Sequence, residues 1–236
     1  MNKLQILMPA HNEENSIEDQ IVNISKILKE KINFSFLICE DGSEDDTLEI
    51  LNNLKHKFNI KIISRKNKQG YSNAVISGLK ASNADYVLVM DSDGQCDPNE
   101  ILKFWQERNN SDIVCGWRTD RQDFLYRKFF SDFAKIIYKI FFNVKLKDPS
   151  FAFSLMSRKV VENLKYFSPH MPDGFFWEFN ARAIYKGFKI KEIGISHKKR
   201  KHGNTKIFHF YKLPQIAIIN LIGLFKVKLD IIFKKN

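Results

Sequence analysis

Four short apolar runs, LQILMPA (4–10), FSFLIC (34–39), IKIIS (60–64) and YVLVM (86–90), are separated by segments of helical period. Ile17, Ile21, Ile24 and Leu28 follow the first run, Leu48, Leu51, Leu54 and Phe58 the second, and Ala74, Gly78 and Leu79 the third. Asn12 or Asn15 is the expected cap of the first helix, and Ser43 or Asp46 of the second. A fifth run, DIVCGW (112–117), comes after Asp97-Pro98, which pairs a capping residue with a proline at a first helical position. Strands alternating with helices through short connections predict a mostly parallel α/β sheet, whose ligands lie beyond the C-terminal ends of the strands.

Those ends carry a chemistry of their own. Glu13-Glu14, Glu40-Asp41, Gly70 and the pair Asp91/Asp93 each fall just past an apolar run. In YVLVMDSDG a strand's period of two sends Asp91 and Asp93 to one side. Carboxylates that close repel each other unless a proton or a cation lies between them. The first run is not followed by G-x-G-x-x-G, and no G-x-x-x-x-G-K-[ST] occurs. An edge built from acids cannot cradle phosphate directly, so it calls for a divalent cation, and hard oxygen ligands select Mg²⁺ or Mn²⁺. Alone, D-x-D is also what a solvated loop ahead of a helix cap looks like.

At 236 residues the chain fits one large domain, or one with an appendage. Its formal charge of +11 is compatible with nucleic acid, an anionic membrane surface or phosphorylated substrates, and does not choose between them. Cys39, Cys96 and Cys115 are odd in number and far apart, which argues against a disulfide framework or a zinc site and for a reducing cytoplasm. No signal-peptide pattern opens the chain, and no run reaches the roughly 18–20 apolar residues of a spanning helix. The expected protein is soluble or lies on a membrane without crossing it.

Taken together, PAHNEE (9–14), EDGSEDDT (40–47), NKQGYSNAVISGL (67–79) and MDSDGQ (90–95) resemble a family 2 glycosyltransferase of the GT-A fold. GWR (116–118), DPSFAF (148–153) and RKHGNTK (200–206) are similar to the dolichol-phosphate mannose synthase and polyprenyl-phosphate sugar transferase branch. The resemblance implies that Pro9, His11 and Glu13 contact a donor nucleotide, Cys39 through its backbone, and that Asp41 holds the base. It implies that Asp91, Ser92 and Asp93 hold ribose and the metal–diphosphate with Gln95 near the metal, that Lys206 meets the diphosphate, and that Arg118, Arg127, Ser131 and Arg200 receive an acceptor phosphate. Trp117, Thr119, Phe153 and Thr205 depart from the residues expected around those motifs.

The catalytic set is thus Asp91, Asp93, Arg118, Arg127 and Arg200, for an inverting transfer assisted by Mg²⁺ or Mn²⁺. A sugar hydroxyl would need a general base, for which Glu178 in FFWEFNARA is available, unless it is simply ion-paired with Arg182 four residues on. A phosphate monoester is largely deprotonated at neutral pH and needs only positioning, a task for arginine's planar fork. Only eight of the 38 basic residues are arginine, yet Arg118, Arg121 and Arg127 fall within ten positions. A plain basic loop is the alternative.

Two segments are candidates for membrane contact. Phe129, Phe133, Ile136/Ile137 and Ile140/Phe141 form a stripe at helical spacing among lysines, which suits an interfacial helix or a core helix. Residues 212–236 are apolar almost all round, with lysines at 226, 228, 234 and 235, and suit a surface-lying anchor or a docking helix for a membrane-protein partner. The run KKRK (198–201) comes with no recognition motif, so no nucleic acid is expected. The expected division is a nucleotide-sugar half (1–117) and an acceptor half (118–210) of one domain, then a membrane-associating tail (211–236). Three readings compete: a nucleotide-sugar (GDP- or UDP-) transferase onto polyprenyl phosphate, peripheral on the inner face of the cell membrane; the same chemistry onto a saccharide hydroxyl; and a non-catalytic basic nucleotide- or membrane-binding protein.

Overall fold

The computed structural model describes residues 2–119, 125–198 and 213–233, the side chains of 125–131, 133 and 213–217 excepted. The first half runs β1 (Leu4–Ala10), α1 (Ile17–Leu28), β2 (Phe34–Asp41), α2 (Thr47–Leu54), β3 (Ile60–Arg65), α3 (Tyr71–Ala81), β4 (Tyr86–Met90), α4 (Glu100–Glu107) and β5 (Ile113–Arg118). Then come α5 (Leu125–Phe142), β6 (Phe153–Ser157), α6 (Arg158–Leu164), α7 (Phe175–Tyr185), β7 (Ile190–Ile195) and α8 (Leu213–Phe233). The strands form one seven-stranded sheet in the order β3-β2-β1-β4-β6-β5-β7. β6 runs antiparallel to both neighbours, and every other neighbouring pair is parallel. Six strands therefore point the same way, and the ends of β1, β2, β3, β4, β5 and β7 share one edge.

Helices cover both faces. Ile17, Ile21, Ile24 and Leu28 of α1, Leu51 and Leu54 of α2, and Ile101 and Phe104 of α4 pack on one side against Leu4, Ile6 and Met8. α3, α6 and α7 pack on the other, against Leu7, Leu37, Val87 and Val89. Alternate residues of β1 thus go to opposite cores, as a strand buried on both faces requires. Gly78 allows α3 to lie close, since a Cβ there would overlap Leu7 and stand 3.0 Å from Cys39 Sγ.

A third apolar cluster joins α5, α7 and α8 through Tyr138, Met171, Ala181, Leu224, Val227 and Ile231. Of the expected α5 stripe, Ile137 and Phe141 pack into this cluster while Ile136 and Ile140 stay exposed. Among the described residues no helix is long and apolar enough to cross a membrane.

Local caps differ from expectation. Ser16, not Asn12 or Asn15, precedes α1, because Asn12 adopts φ 56° and is occupied in bracing the next loop. α4 opens at Glu100 rather than Pro98, since Asp97 accepts the Asn99 N–H at 3.0 Å and closes a turn first.

Candidate active site

The edge begins where β1 and β2 end side by side. Asn12 donates its N–H to Ser43 Oγ at 3.0 Å and accepts the Glu44 N–H at 2.8 Å. The Glu13 N–H reaches Thr47 Oγ1 at 2.8 Å, and Glu13 Oε2 accepts from Ser16 Oγ at 2.8 Å. These bonds fasten the loop holding His11 and Glu13 to the one after β2. Gly42, at φ 68°, brings that loop against the backbone of Asn67 and Lys68, where a Cβ would stand 2.7 Å from the Lys68 nitrogen.

Glu40 and Asp41 are both buried, and both face protein donors. Glu40 accepts the Ser43 N–H and, at 2.6 Å, the Ser64 hydroxyl. Asp41 accepts from Arg65 Nη1 at 3.0 Å, from the Gln69 N–H at 3.0 and 3.1 Å, and from the Gly70 N–H at 2.8 Å. Arg65 is held in turn by Asn73 O at 2.8 Å and by Ser77 Oγ. The carboxylate expected at the base thus also organises the 65–70 loop. Pro9 and Cys39 are register partners on β1 and β2 just behind this edge.

Asp91 and Asp93, both half-buried, follow β4. Between them Ser92 is buried and donates to Pro9 O at 2.9 Å, which ties the ends of β1 and β4 together. Asp93 Oδ1 accepts the Gln95 N–H at 3.1 Å. The Gln95 side-chain amide donates to Lys198 O at 3.0 Å, an assignment that leaves its oxygen for another partner. Lys198 N–H returns a bond to Gln95 O at 2.9 Å, and a bridge pairs Cys96 with His197. The segment leading out of β7 is thereby pinned to the loop bearing the paired acids.

Tyr71 completes this corner. Its buried hydroxyl faces the Asp91 carboxylate without meeting any partner at regular hydrogen-bond geometry. Burial first, then the charge of Asp91, holds its pKa well above the usual tyrosine value. Burial likewise pushes up the Cys96 thiol, with Asp91 and Asp93 adding to the effect. Among the described residues no three His, Cys, Asp or Glu gather as a metal cluster. Two carboxylates and an amide oxygen do fit Mg²⁺ or Mn²⁺, which commonly take one or two carboxylates and leave the remaining positions to phosphate oxygens and water.

On the other side of the edge, Arg118 ends β5 and is gripped by the buried Asp148, with Nε to Oδ2 at 2.7 Å and Nη2 to Oδ1 at 3.0 Å. Arg127 and Ser131 belong to α5, but their side chains are outside the described residues, as are Arg200 and Lys206 altogether. Glu178 on α7 is fully buried. Its Oε1 accepts from Arg182 Nε at 3.0 Å and Nη2 at 2.7 Å, and its Oε2 from the His170 N–H at 2.8 Å. The sequence assigns Arg65 and Tyr71 no role at the site, and Lys198 enters there only within the basic run 198–201, which is expected to face diphosphates or anionic lipid headgroups. An arginine within the lysine-rich RKNKQG was the only hint of Arg65, and the other two contacts depend on which strand ends become neighbours.

The mostly parallel sheet thus gathers Glu40, Asp41, Asp91, Asp93 and Arg118 along the edge where six of its strands end. The chain belongs to glycosyl transferase family 2, whose family model matches residues 5–165, and it is a glycosyltransferase. It is 29% identical over 214 residues to the dolichol-phosphate mannosyltransferase of Pyrococcus furiosus, a match covering 87% of this chain and 59% of that protein. It is 27% identical over 255 residues to the dolichyl-phosphate beta-glucosyltransferase of Dictyostelium discoideum, covering 95% of this chain and 77% of the relative. Glucosyl-3-phosphoglycerate synthase from Mycobacterium tuberculosis, crystallised with Mn²⁺, UDP and phosphoglyceric acid, superposes with a TM-score of 0.75 at 18% identity, covering 96% of this chain and 78% of that one. The same enzyme with Mg²⁺ and UDP gives 0.72, covering 96% and 79%. At that identity the likeness shows the GT-A fold.

Proposed function

We propose that this protein transfers a sugar from a nucleoside-diphosphate sugar to a polyprenyl phosphate at the cytoplasmic face of a membrane, inverting the anomeric carbon. The observation that supports this reading is that Glu178 is fully buried and engaged through both oxygens by Arg182 and the His170 N–H, while Arg118 stands at the end of β5 on the edge where the acids gather. An acid so occupied is badly placed to take a hydroxyl's proton, whereas a phosphate acceptor needs no base. The named activities of the Pyrococcus and Dictyostelium relatives, both on dolichol phosphate, support the same choice.

Asp91, Asp93 and the Gln95 oxygen would hold the Mg²⁺ or Mn²⁺, and the bound ion supplies charge neutralisation to the departing diphosphate as a Lewis acid. The loops after β1 and β2, with Pro9, His11, Glu13, Cys39 and Asp41, would bind and orient the nucleotide. Ser92 holds the strand ends in register for that purpose. Arg118, with Arg127, Ser131 and Arg200, would draw in the acceptor phosphate, and Lys206 would add positive charge at the diphosphate.

α8 supplies the membrane contact in this reading. Leu224, Val227 and Ile231 pack inward, while Ile218, Ile222, Phe225, Leu229 and Phe233 lie about the opposite face at 100° per residue and are exposed. Lys226 and Lys228 fall on the two shoulders of that face, the pattern of a helix lying at a lipid headgroup boundary.

The decisive assay offers labelled UDP- and GDP-sugars with Mg²⁺ or Mn²⁺ and a polyprenyl phosphate, then extracts with chloroform. Label in the organic phase, lost with EDTA or in Arg118→Ala, is the expected result. Donor consumed with label left in the aqueous phase would overturn the lipid acceptor and turn the search to a saccharide hydroxyl. Glu178→Gln is expected to lower stability without that acceptor-specific loss.

A further inference from the structure

Arg118 is not a loose surface cation. Its Nε and Nη2 close a two-point fork on Asp148, whose side chain is 4% exposed against 18% for the arginine. Ser150 Oγ donates to Asp148 Oδ1 at 3.0 Å and lies 3.5 Å from Arg118 Nη2, bracing both members of the pair. Phe151 places its ring 5.1 Å from the guanidinium carbon.

The turn that carries these three residues is itself fixed. Phe151 N–H bonds back to Asp148 O at 3.2 Å, and the buried Asn180 donates to Pro149 O at 3.1 Å. Phe151 also abuts Gly116 of β5, where an added Cβ would stand 3.0 Å from the ring. A strand, a turn and a helix therefore converge to hold one guanidinium in one plane.

We propose that Asp148 is a positioning residue for the acceptor phosphate, acting through Arg118; this rests on the reading that Arg118 receives that phosphate. Two effects of the carboxylate oppose each other. Its charge partly cancels the attraction of Arg118 for a dianion, whereas its fork fixes the rotamer and plane that bidentate phosphate recognition needs. The deeper burial of Asp148 sets it behind the arginine, so the phosphate meets the guanidinium first. Orientation is then the larger effect, because a displacement of about 1 Å at a reacting group can cost on the order of 100-fold in rate.

The test is steady-state kinetics of Asp148→Asn with a short-chain polyprenyl phosphate, varying acceptor and donor separately. The amide cannot accept both N–H groups, so the fork opens. We expect acceptor kcat/KM to fall on the order of tenfold or more, carried by a raised acceptor KM, with donor KM unchanged. Ser150→Ala is expected to move the same constant in the same direction, less far. A purely structural role would lower active fraction and leave both KM values alone, which overturns the proposal. An acceptor KM that falls in Asp148→Asn overturns it too, since charge masking then outweighs orientation. Arg118→Ala separates the underlying reading: if it leaves acceptor KM unchanged, Arg118 does not receive the phosphate and the proposal falls with it. Where Asp148→Asn fails to fold, Asp148→Glu moves the fork by one methylene, and unchanged acceptor kinetics in that variant count against positioning.

Discussion

Asp41 has more to do than its place in a motif suggests. Three N–H donors from Arg65, Gln69 and Gly70 converge on a carboxylate that is almost entirely buried. Removing it strands the Arg65 guanidinium, itself only 15% exposed. Breaking one partner of such a pair costs about 3–5 kcal/mol, so Asp41→Ala should lower the urea midpoint by a corresponding amount and weaken nucleotide binding together. Asp93→Asn makes a contrasting case, since the isosteric amide keeps an oxygen able to accept the Gln95 N–H and loses only the charge. That variant should keep its unfolding midpoint, lose about 100-fold or more in donor turnover, and lose the stabilisation that Mn²⁺ with UDP gives the parent in a thermal-shift measurement.

Among the elements, the strands that alternate with helices were legible in the sequence almost to the residue, because each is a short apolar run bounded by polar signals. β1 and β4 fall where expected, β2 gains Glu40 and Asp41, and β3 gains Arg65. β6 was not legible. FSLMS becomes a strand because it inserts antiparallel between β4 and β5, and that pairing joins residues tens of positions apart that no local pattern announces. The same limit hid the clasp of Gln95 by Lys198 and the grip of Asp148 on Arg118, whereas the run of acids along the edge could be read directly. α8 was legible as apolar nearly all round, and only the fold decides which face stays outside. Leu224→Ala should cost about 2–5 kcal/mol in urea unfolding, because that side chain is buried against α5 and α7. Phe225→Glu with Leu229→Glu should leave the midpoint within about 0.5 kcal/mol yet abolish co-sedimentation with phosphatidylglycerol vesicles. Retained co-sedimentation would remove α8 as the membrane contact.

For the molecule as a whole, the three cysteines make an alkaline limit that its basic surface would not suggest. All three are free and buried. Burial pushes the Cys39 and Cys115 thiols up to about 12, and Cys96 also stands well above its usual value. An unfolded chain ionises the same thiols near pH 8.5–9, so above that pH the unfolded state binds fewer protons than the native state. The sign follows: this contribution is fully present below about pH 8 and is lost progressively as pH rises toward 12. At pH 9.5 Cys39 and Cys115 together should remove about 1–2 kcal/mol relative to pH 8, read as a lower urea midpoint. The buried Tyr71 and Tyr138, whose pKa values burial also raises, add to the loss above about pH 10. Replacing Cys39 or Cys115 by alanine should flatten the pH dependence whatever it does to the midpoint at pH 8, and this separates thiol ionisation from the general effect of lysine deprotonation. In the same samples a thiol reagent at pH 8 should find no reactive cysteine until denaturant is added, since an unionised thiol inside either core presents neither the thiolate nor the access that attack requires.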